Sequence, residues 1–134
     1  MTVDLRVDLS GMHLKTPLIL ASGILGLSGR MLAEISKIES IGAVTTKSIG
    51  LKPRDGYPNP TIVVLPYGFI NSMGLPNPGV ESFLAELDEA GGFGSPLIAS
   101  FYGYNIDEIT EVAKIIARHQ AVSALELNVS CPHV

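Results

Sequence analysis

The stretch LELNVSCPHV, residues 125–134, indicates the fold class of the chain. Apolar and polar residues alternate from position 124 to 129, as in a strand, and Pro132 cannot continue the strand. An amide, a hydroxyl and the only cysteine of the chain follow directly, at Asn128, Ser130 and Cys131. Because α/β folds keep their reactive groups where a strand gives way to a loop, the stretch predicts a functional loop after a core strand.

Three earlier segments have the composition of core strands. Apolar runs at 17–22, 43–47 and 96–101 predict parallel strands that are buried on both faces. A short hairpin is predicted at 3–14, around a central glycine. The segment 48–77 is rich in Pro, Gly, Asn and Tyr, and we expect it to be irregular apart from a strand at its residues 61–65.

Helices are predicted between these strands from caps and apolar spacing. Ser28 can cap a first helix with its apolar stripe on Met31, Leu32, Ile35 and Ile38, which Gly42 closes. Asn77-Pro78 predicts the start of a second helix, with Val80, Phe83, Leu84 and Leu87 buried. Asn105 and Glu108 predict a capping box for a third helix, which buries Ile109, Val112, Ala113 and Ile116.

The regular alternation of strands and helices calls for a parallel sheet with right-handed crossovers. The glycines of residues 22–29 do not fit the spacing G-x-G-x-x-G, so a doubly wound nucleotide fold is weakly supported. The alternative is a (β/α)8 TIM barrel, which needs roughly 250 residues. We therefore predict that residues 1–134 are the N-terminal half of one barrel domain, with a hairpin and roughly the first four strand–helix units.

Composition limits the classes of partner. The net charge of −4 and the pI near 5.2 argue against nucleic acid or an anionic membrane as the main partner. We see no apolar run of membrane-spanning length and no signal peptide, and a lone cysteine suits a reducing cytoplasm. The 46% hydrophobic content predicts that another subunit, or the rest of a longer chain, covers part of the surface.

The predicted strands deliver polar side chains to one rim, because parallel strands in a barrel all end at the same face. Taken singly, Lys47 has a simpler interpretation as a solvated surface lysine. Cys131 likewise has a simpler interpretation as a small buried hydrophobic residue. The context TTKS at 45–48 favours an anionic ligand for the lysine, and a turn after a strand favours an accessible thiol. The residues at these strand ends are Ser22, Lys47, Ser48, Ser100, Asn128 and Cys131.

The segment NSMGLPN, residues 71–77, carries a second group of candidates. Its simpler interpretation is a turn before a helix cap. Its amide, its hydroxyl and its glycine-exposed backbone also suit a flat heterocycle with ring N–H and C=O groups. We predict no metal site, because the sequence lacks a spaced set of His, Cys and carboxylate ligands.

Taken together, these motifs resemble the dihydroorotate dehydrogenases, in particular the cytosolic class that uses a cysteine as its base. The resemblance extends over nearly the whole chain. It is most specific in the combination of NSMGLPN with NVSCP, and the matching motifs are ASG at 21–23, TTKS at 45–48, GLKPR at 50–54, NP at 59–60, NSMGLPN at 71–77 and NVSCP at 128–132.

The resemblance implies an FMN-carrying TIM barrel that oxidises dihydroorotate to orotate in pyrimidine biosynthesis. Cys131 would be the base, and Lys47 would lie between flavin and substrate. The substrate-binding residues would be Lys47, Asn71, Ser72, Met73, Gly74, Leu75 and Asn128. The FMN-binding residues would be Ser22, Lys47, Ser48, Ser100 and Asn128.

Alternatives and partners follow from the same resemblance. His133 stands where many family members have an asparagine, and the string NVSCPH is also similar to the flavin domain of dihydropyrimidine dehydrogenases, which reduce uracil and thymine. A third hypothesis is an inert fragment or a partner-binding subunit, since we expect the 134 residues alone to be inactive and to bind FMN poorly. Family members use fumarate, or NAD through an iron–sulfur and FAD electron-transfer subunit, and we expect a homo-oligomer.

Overall fold

The structure is a computed structural model that describes residues 3–26 and 28–131. Its elements in chain order are β1 (Val7–Leu9), β2 (Met12–Leu14), β3 (Ile19–Leu20), α1 (Gly29–Ser36), β4 (Ala43–Thr45), β5 (Ile62–Leu65), β6 (Gly68–Asn71), α2 (Val80–Asp88), β7 (Leu97–Phe101), α3 (Ile106–Ile116) and β8 (Val122–Leu127). None of the helices in these ranges has the length and hydrophobicity needed to span a bilayer.

Four strands form a parallel sheet in the order β3-β4-β7-β8, which is also their order along the chain. One helix separates each pair of neighbouring strands. This is the arrangement predicted for the first part of a β/α barrel, in which consecutive parallel strands are neighbours. The carboxyl ends of all four strands therefore lie at one edge of the sheet.

The two central strands of the sheet, β4 and β7, are buried on both faces, as their apolar runs predict. On one side, the strands pack against the three helices through the main core of Leu32, Val44, Ile49, Val80, Phe83, Leu87, Leu97, Ala99, Phe101, Val112 and Ile116. On the other side, Ala43 and Ile98 contact Leu14 of the N-terminal hairpin. The predicted hairpin is confirmed, and its Leu14 packs against the second face of the sheet.

The first core strand differs from the prediction. Only Ile19 and Leu20 are in the ladder, and Leu18 and Ile19 are 58% and 37% exposed. The reason is position: β3 lies at the edge of the four-stranded sheet and pairs only with β4. The prediction that this strand is buried on both faces is therefore wrong for the described chain.

The first helix starts as predicted but ends earlier. The Ser28 hydroxyl accepts a hydrogen bond from the Met31 amide, as a cap should. The helix ends at Ser36, whose hydroxyl donates to the Ala33 carbonyl and accepts from the Gly94 amide. Gly42 does not close this helix; instead, a Cβ at this position would lie 1.9 Å from the Thr16 carbonyl oxygen.

The other two helices confirm the predicted apolar faces. In α3, Asn105 Oδ1 accepts from the Glu108 amide at 2.9 Å, so the predicted cap is present. In α2, however, the N-cap is Gly79 and not Asn77. The amide side chain of Asn77 is engaged in other contacts, which are described below.

The long connection is more regular than predicted. The strand at its centre is confirmed as β5, and it pairs with β6 in an antiparallel hairpin that the sequence analysis missed. The apolar side chains of this hairpin are largely exposed, Phe69 at 74% and Tyr67 at 101%. The sequence of β6, GFIN, contains only two large apolar residues, too few to show the alternation or the apolar run of a strand.

Candidate active site

The carboxyl ends of β4, β7 and β8 are joined by side-chain hydrogen bonds. The hydroxyl groups of Ser48 and Ser100 are 2.9 Å apart. The side-chain amide of Asn128 donates to Ser48 Oγ at 2.9 Å. Three residues that are far apart in the chain thus meet at the predicted rim, and we call these three together with Cys131 the rim cluster.

Asn128 also fixes the start of the loop that carries the thiol. Its Oδ1 accepts hydrogen bonds from the backbone amides of Ser130 and Cys131, both at 3.2 Å. Its own backbone amide donates to the Phe101 carbonyl at 2.8 Å, which anchors it to β7. Cys131 is half-buried. One side chain therefore connects the position of the cysteine to that of Ser48.

A bulge after β4 presents Lys47 and Ser48 at this edge. The Thr46 amide donates to the Ile98 carbonyl, and the next ladder bond runs from the Ile49 amide to the Ser100 carbonyl, both at 3.0 Å. Three steps along β4 thus oppose two steps along β7, which is the mark of a bulge. The Thr46 hydroxyl accepts from the Ser100 amide at 2.9 Å and so replaces the missing backbone acceptor.

Lys47 lines a mostly apolar cavity of about 190 Å³ that it shares with Met73, Ile49 and Gly26. Its side chain is half-buried, and its ammonium forms no salt bridge or hydrogen bond with residues 3–26 or 28–131. A Cβ at Gly26 would come within 2.9 Å of the Thr45 carbonyl oxygen, so the wall here requires glycine. The cavity thus combines apolar walls with a lysine that has no ion pair among the described residues, a lining that suits an anionic ligand.

The segment 71–75 contributes Met73 to the lining of this cavity. It starts at the end of β6, where the Ser72 amide donates to the Thr61 carbonyl at 2.8 Å. Gly74 and Leu75 are buried and have consecutive positive φ angles of 74° and 54°. Asn71, Ser72 and Met73 are exposed. The segment is thus a sharp turn with buried backbone and accessible polar side chains.

The predicted site residues fall into three groups. Ser48, Ser100, Asn128 and Cys131 meet in the rim cluster, and Lys47 and Met73 meet in the cavity beside it. Ser22 follows β3 at the same edge of the sheet but makes no hydrogen bond to the other described candidates. His133 lies outside the described residues, as does Pro132.

Other features of the site were not predicted. Sequence reasoning missed Thr46 as the bulge partner, Gly26 as a cavity wall, and the contacts of Asn77. A larger cavity of about 630 Å³ lies elsewhere, between Arg54, Tyr104 and Glu108, and contains none of the predicted residues. Within the described ranges, no cluster of His, Cys, Asp and Glu has the geometry of a metal site.

Several known proteins with similar sequences carry the same name. A protein from Methanocaldococcus jannaschii, the catalytic subunit of dihydroorotate dehydrogenase B (NAD(+)), is 48% identical over 133 residues, which cover 96% of this chain and 42% of that protein. The same enzyme subunit from Thermococcus kodakarensis is 48% identical over 134 residues, covering 99% of this chain and 43% of the relative. The chain thus spans less than half the length of these relatives.

Solved structures agree on the fold. The structure of DHODH from Eimeria tenella in complex with ferulenol superposes with a TM-score of 0.80 at 23% identity, over 98% of this chain and 38% of that one. Its ligand-free form gives a TM-score of 0.79 at 24% identity, over 96% of this chain and 39% of that one. The described strands and helices are therefore part of a TIM barrel of this type. The model of the family "Dihydroorotate dehydrogenase" matches residues 4–134, and the chain belongs to that family.

Proposed function

We propose that the full-length gene product carrying this chain oxidises dihydroorotate to orotate in pyrimidine biosynthesis, with FMN as the hydride acceptor. The observation that carries the proposal is the double contact of Asn128, which holds Ser48 with its amide group and the Cys131 backbone with its oxygen. The backbone of Cys131 is thereby held at the same edge of the sheet as Lys47, whose ammonium has no ion pair among the described residues. The names of the relatives supply the substrate class.

The residues at this edge suit FMN in their chemistry. Lys47 offers a cation, and the amide of Asn128 has a second N–H besides the one given to Ser48. Ser22 and Ser48 would add hydroxyl contacts. Ser100 is only 1% exposed and bonds to Ser48, so its contribution to FMN binding would be to hold that neighbour in place. When bound, FMN supplies an acceptor for the hydride from C6 of the substrate.

The protein side chains would handle the substrate and its proton. As a thiolate, Cys131 would take the proton from C5 of dihydroorotate. The Lys47 ammonium would attract the substrate carboxylate and favour the negative charge that reaches the flavin ring. Asn71 and Asn128 would hydrogen-bond the substrate, and the turn from Ser72 to Leu75, with Met73 and Gly74 between them, would form a wall of its pocket.

The described sheet suits one part of a larger barrel domain. Its edge strands β3 and β8 expose apolar side chains, among them Leu125 at 39% and Leu127 at 42%. In a closed barrel such edges are paired, and the relatives are more than twice as long as this chain. We therefore propose that residues 1–134 form the N-terminal part of a single FMN-binding barrel domain.

The proposed partners and location follow from the relatives. These are named as catalytic subunits of an NAD(+)-dependent enzyme, which supports NAD over fumarate as the final acceptor. An electron-transfer subunit with FAD and an iron–sulfur centre would then be the protein partner of a homo-oligomeric catalytic subunit. The proposed location is the cytoplasm.

A direct assay tests the proposal against the dihydropyrimidine alternative. The purified full-length gene product should contain FMN, and dihydroorotate should bleach its flavin absorbance under anaerobic conditions. Dihydrouracil, which lacks the carboxylate that Lys47 would attract, should bleach it at least about 100-fold more slowly. Faster reduction by dihydrouracil would reject the proposed substrate, and reduction by neither compound would favour an inert or partner-binding protein.

Replacement of Asn128 tests the double contact. Asn128→Ala removes the bonds to Ser48 and to the Cys131 amide, so the thiol should lose its fixed position. A misplacement of about 1 Å can cost about 100-fold in rate, and we expect a loss of that order in flavin reduction. Stopped-flow reduction of the FMN-loaded variant measures the effect.

Ser130→Ala is the matched control, because it removes only the long 3.4 Å hydroxyl contact to Asn128. Its rate of flavin reduction should stay within about threefold of the unaltered protein, since long neutral hydrogen bonds contribute little. Equal losses in both variants would contradict the assignment of Asn128 as the residue that fixes the thiol.

A further inference from the structure

The side chain of Asn77 uses its full hydrogen-bonding capacity inside the protein. Its Oδ1 accepts from the backbone amides of Gly50 at 3.2 Å and Gly79 at 3.0 Å. Its Nδ2 donates to the Leu75 carbonyl at 2.9 Å and to the Tyr102 hydroxyl at 3.1 Å. An asparagine has two N–H donors and one oxygen with two lone pairs, so all four sites are occupied.

The backbone of the same residue makes a second set of contacts. The Asn77 amide donates to the Arg54 carbonyl at 2.9 Å, and the Arg54 amide donates back to Asn77 at 2.8 Å. Asn77 thus ties together three parts of the chain: the loop after β4, the turn at 71–75, and Tyr102, which directly follows β7. Tyr102 is only 2% exposed, so this junction is buried on one side.

The hydrogen bond from Asn77 to the Leu75 carbonyl stabilises a residue with an unfavourable backbone conformation. Leu75 has a φ angle of 54°, which costs free energy for a side chain of this size, and it follows Gly74, with a φ angle of 74°. Such a turn persists only where its surroundings hold it. The bond from Asn77 fixes the carbonyl of Leu75, and the Tyr57 amide fixes the carbonyl of Met73 at 3.1 Å.

The same turn forms part of the Lys47 cavity. Asn77 and Met73 both line this cavity, together with the lysine. Met73 belongs to the turn at 71–75, and Lys47 and Ile49 belong to the loop after β4. The side chain of Asn77, which bonds to both segments, is therefore in a position to influence the shape of the pocket.

We propose that Asn77 is a positioning residue for substrate binding, which acts by holding the turn at 71–75 against the loop after β4. The inference rests on the proposed function for the identity of the substrate. It assigns to Asn77 no contact with the reacting atoms. Its effect should therefore appear in KM for dihydroorotate, with a smaller effect on kcat.

The test compares two substitutions in the full-length gene product. Asn77→Ala removes all four side-chain bonds. Asn77→Asp keeps the acceptor for Gly50 and Gly79 but replaces the donor with a carboxylate that faces the Leu75 carbonyl. Both variants should raise KM for dihydroorotate about tenfold or more, while kcat changes less than threefold. Gln120→Glu, an exposed amide-to-carboxylate change after α3, is the matched control and should leave KM unaltered.

The Asn77→Asp variant adds a pH signature. When pH falls, its new carboxyl takes up a proton and regains one donor for Leu75 or Tyr102. KM relative to the unaltered protein should therefore fall as pH is lowered from 8 towards about 5, around the range in which a partly buried carboxyl titrates. A substitution that merely destabilised the fold would lower the melting temperature without giving KM this pH dependence.

Hydrogen exchange supplies a readout independent of activity. Peptides that contain the amides of Gly50, Arg54, Tyr57 and Gly79 should exchange at least about tenfold faster in Asn77→Ala, while a peptide from α3 should be unaffected. Unchanged exchange at these amides, or an unchanged KM in both variants, would overturn the assignment. Absence of dihydroorotate oxidation in the unaltered protein would instead count against the proposed function, and the exchange measurement would still decide whether Asn77 holds the turn.

Discussion

Replacing Cys131 with alanine should slow the reduction of flavin by dihydroorotate by about 100- to 10,000-fold, the usual contribution of a general base. The thiol is half-buried at the carboxyl end of the sheet, and the backbone amide of its own residue is held by Asn128. Alanine keeps this backbone contact and removes only the group that would take the C5 proton. FMN content and the flavin spectrum should therefore be unchanged, and anaerobic stopped-flow reduction at neutral pH measures the loss.

A serine variant distinguishes a base from a packing residue. Cys131→Ser keeps a side chain of similar size, but a hydroxyl ionises far less readily than a thiol. We expect Cys131→Ser to be nearly as slow as Cys131→Ala at pH 7 and to gain rate as pH rises. If Cys131→Ser retained the full rate at pH 7, or if Cys131→Ala did, the base would have to be another group.

The parts of the fold that the sequence predicts well are those specified by local chemistry. Asn105 and Glu108 indicate the start of α3 because a cap needs an oxygen acceptor at that one position. The apolar runs of β4 and β7 identify buried parallel strands because both faces of these strands are covered. Each of these signals lies within a few residues of the feature it predicts.

The parts that the sequence did not predict depend on distant contacts. The cap expected at Asn77 is absent because this side chain finds partners at Gly50 and Tyr102, 27 and 25 positions away. The strand β6 was missed because its sequence, GFIN, has only two large apolar residues and shows no strand pattern. Local propensity cannot anticipate partners that only the tertiary fold supplies.

In the candidate site, too, some features follow from local sequence and others depend on distant contacts. The meeting of Ser48, Ser100 and Asn128 follows from one rule, that parallel strands end at the same edge. The bulge that presents Ser48 depends on the Thr46 hydroxyl, and no local pattern distinguishes this threonine from its neighbour Thr45. The sequence thus predicts which elements contribute to the site, and the structure supplies the hydrogen bonds that orient them.

Lys47 brings a positive charge to the candidate site. It follows a fully buried strand, and within the described part of the chain no carboxylate neutralises its ammonium. A half-buried cation beside apolar walls loses part of its hydration and gains strongly from a bound anion. The cavity it shares with Met73 is therefore suited to a ligand that brings negative charge.

Removal of the Lys47 charge should slow flavin reduction more than any other substitution except that of Cys131. Lys47→Met keeps a side chain of similar length and apolar character, so the lining of the cavity should keep its shape. The stabilisation of developing negative charge is lost. We expect flavin reduction by dihydroorotate to slow about 100- to 1,000-fold, and orotate to bind more weakly, as measured by stopped-flow reduction and by titration of the flavin absorbance.

Lys52→Met is the matched control. It is the same change on the exposed loop after the site, where water screens the charge, and it should alter neither quantity more than about twofold. Equal effects of the two variants would show that net charge, and not the position of the Lys47 ammonium at the strand end, governs the reaction.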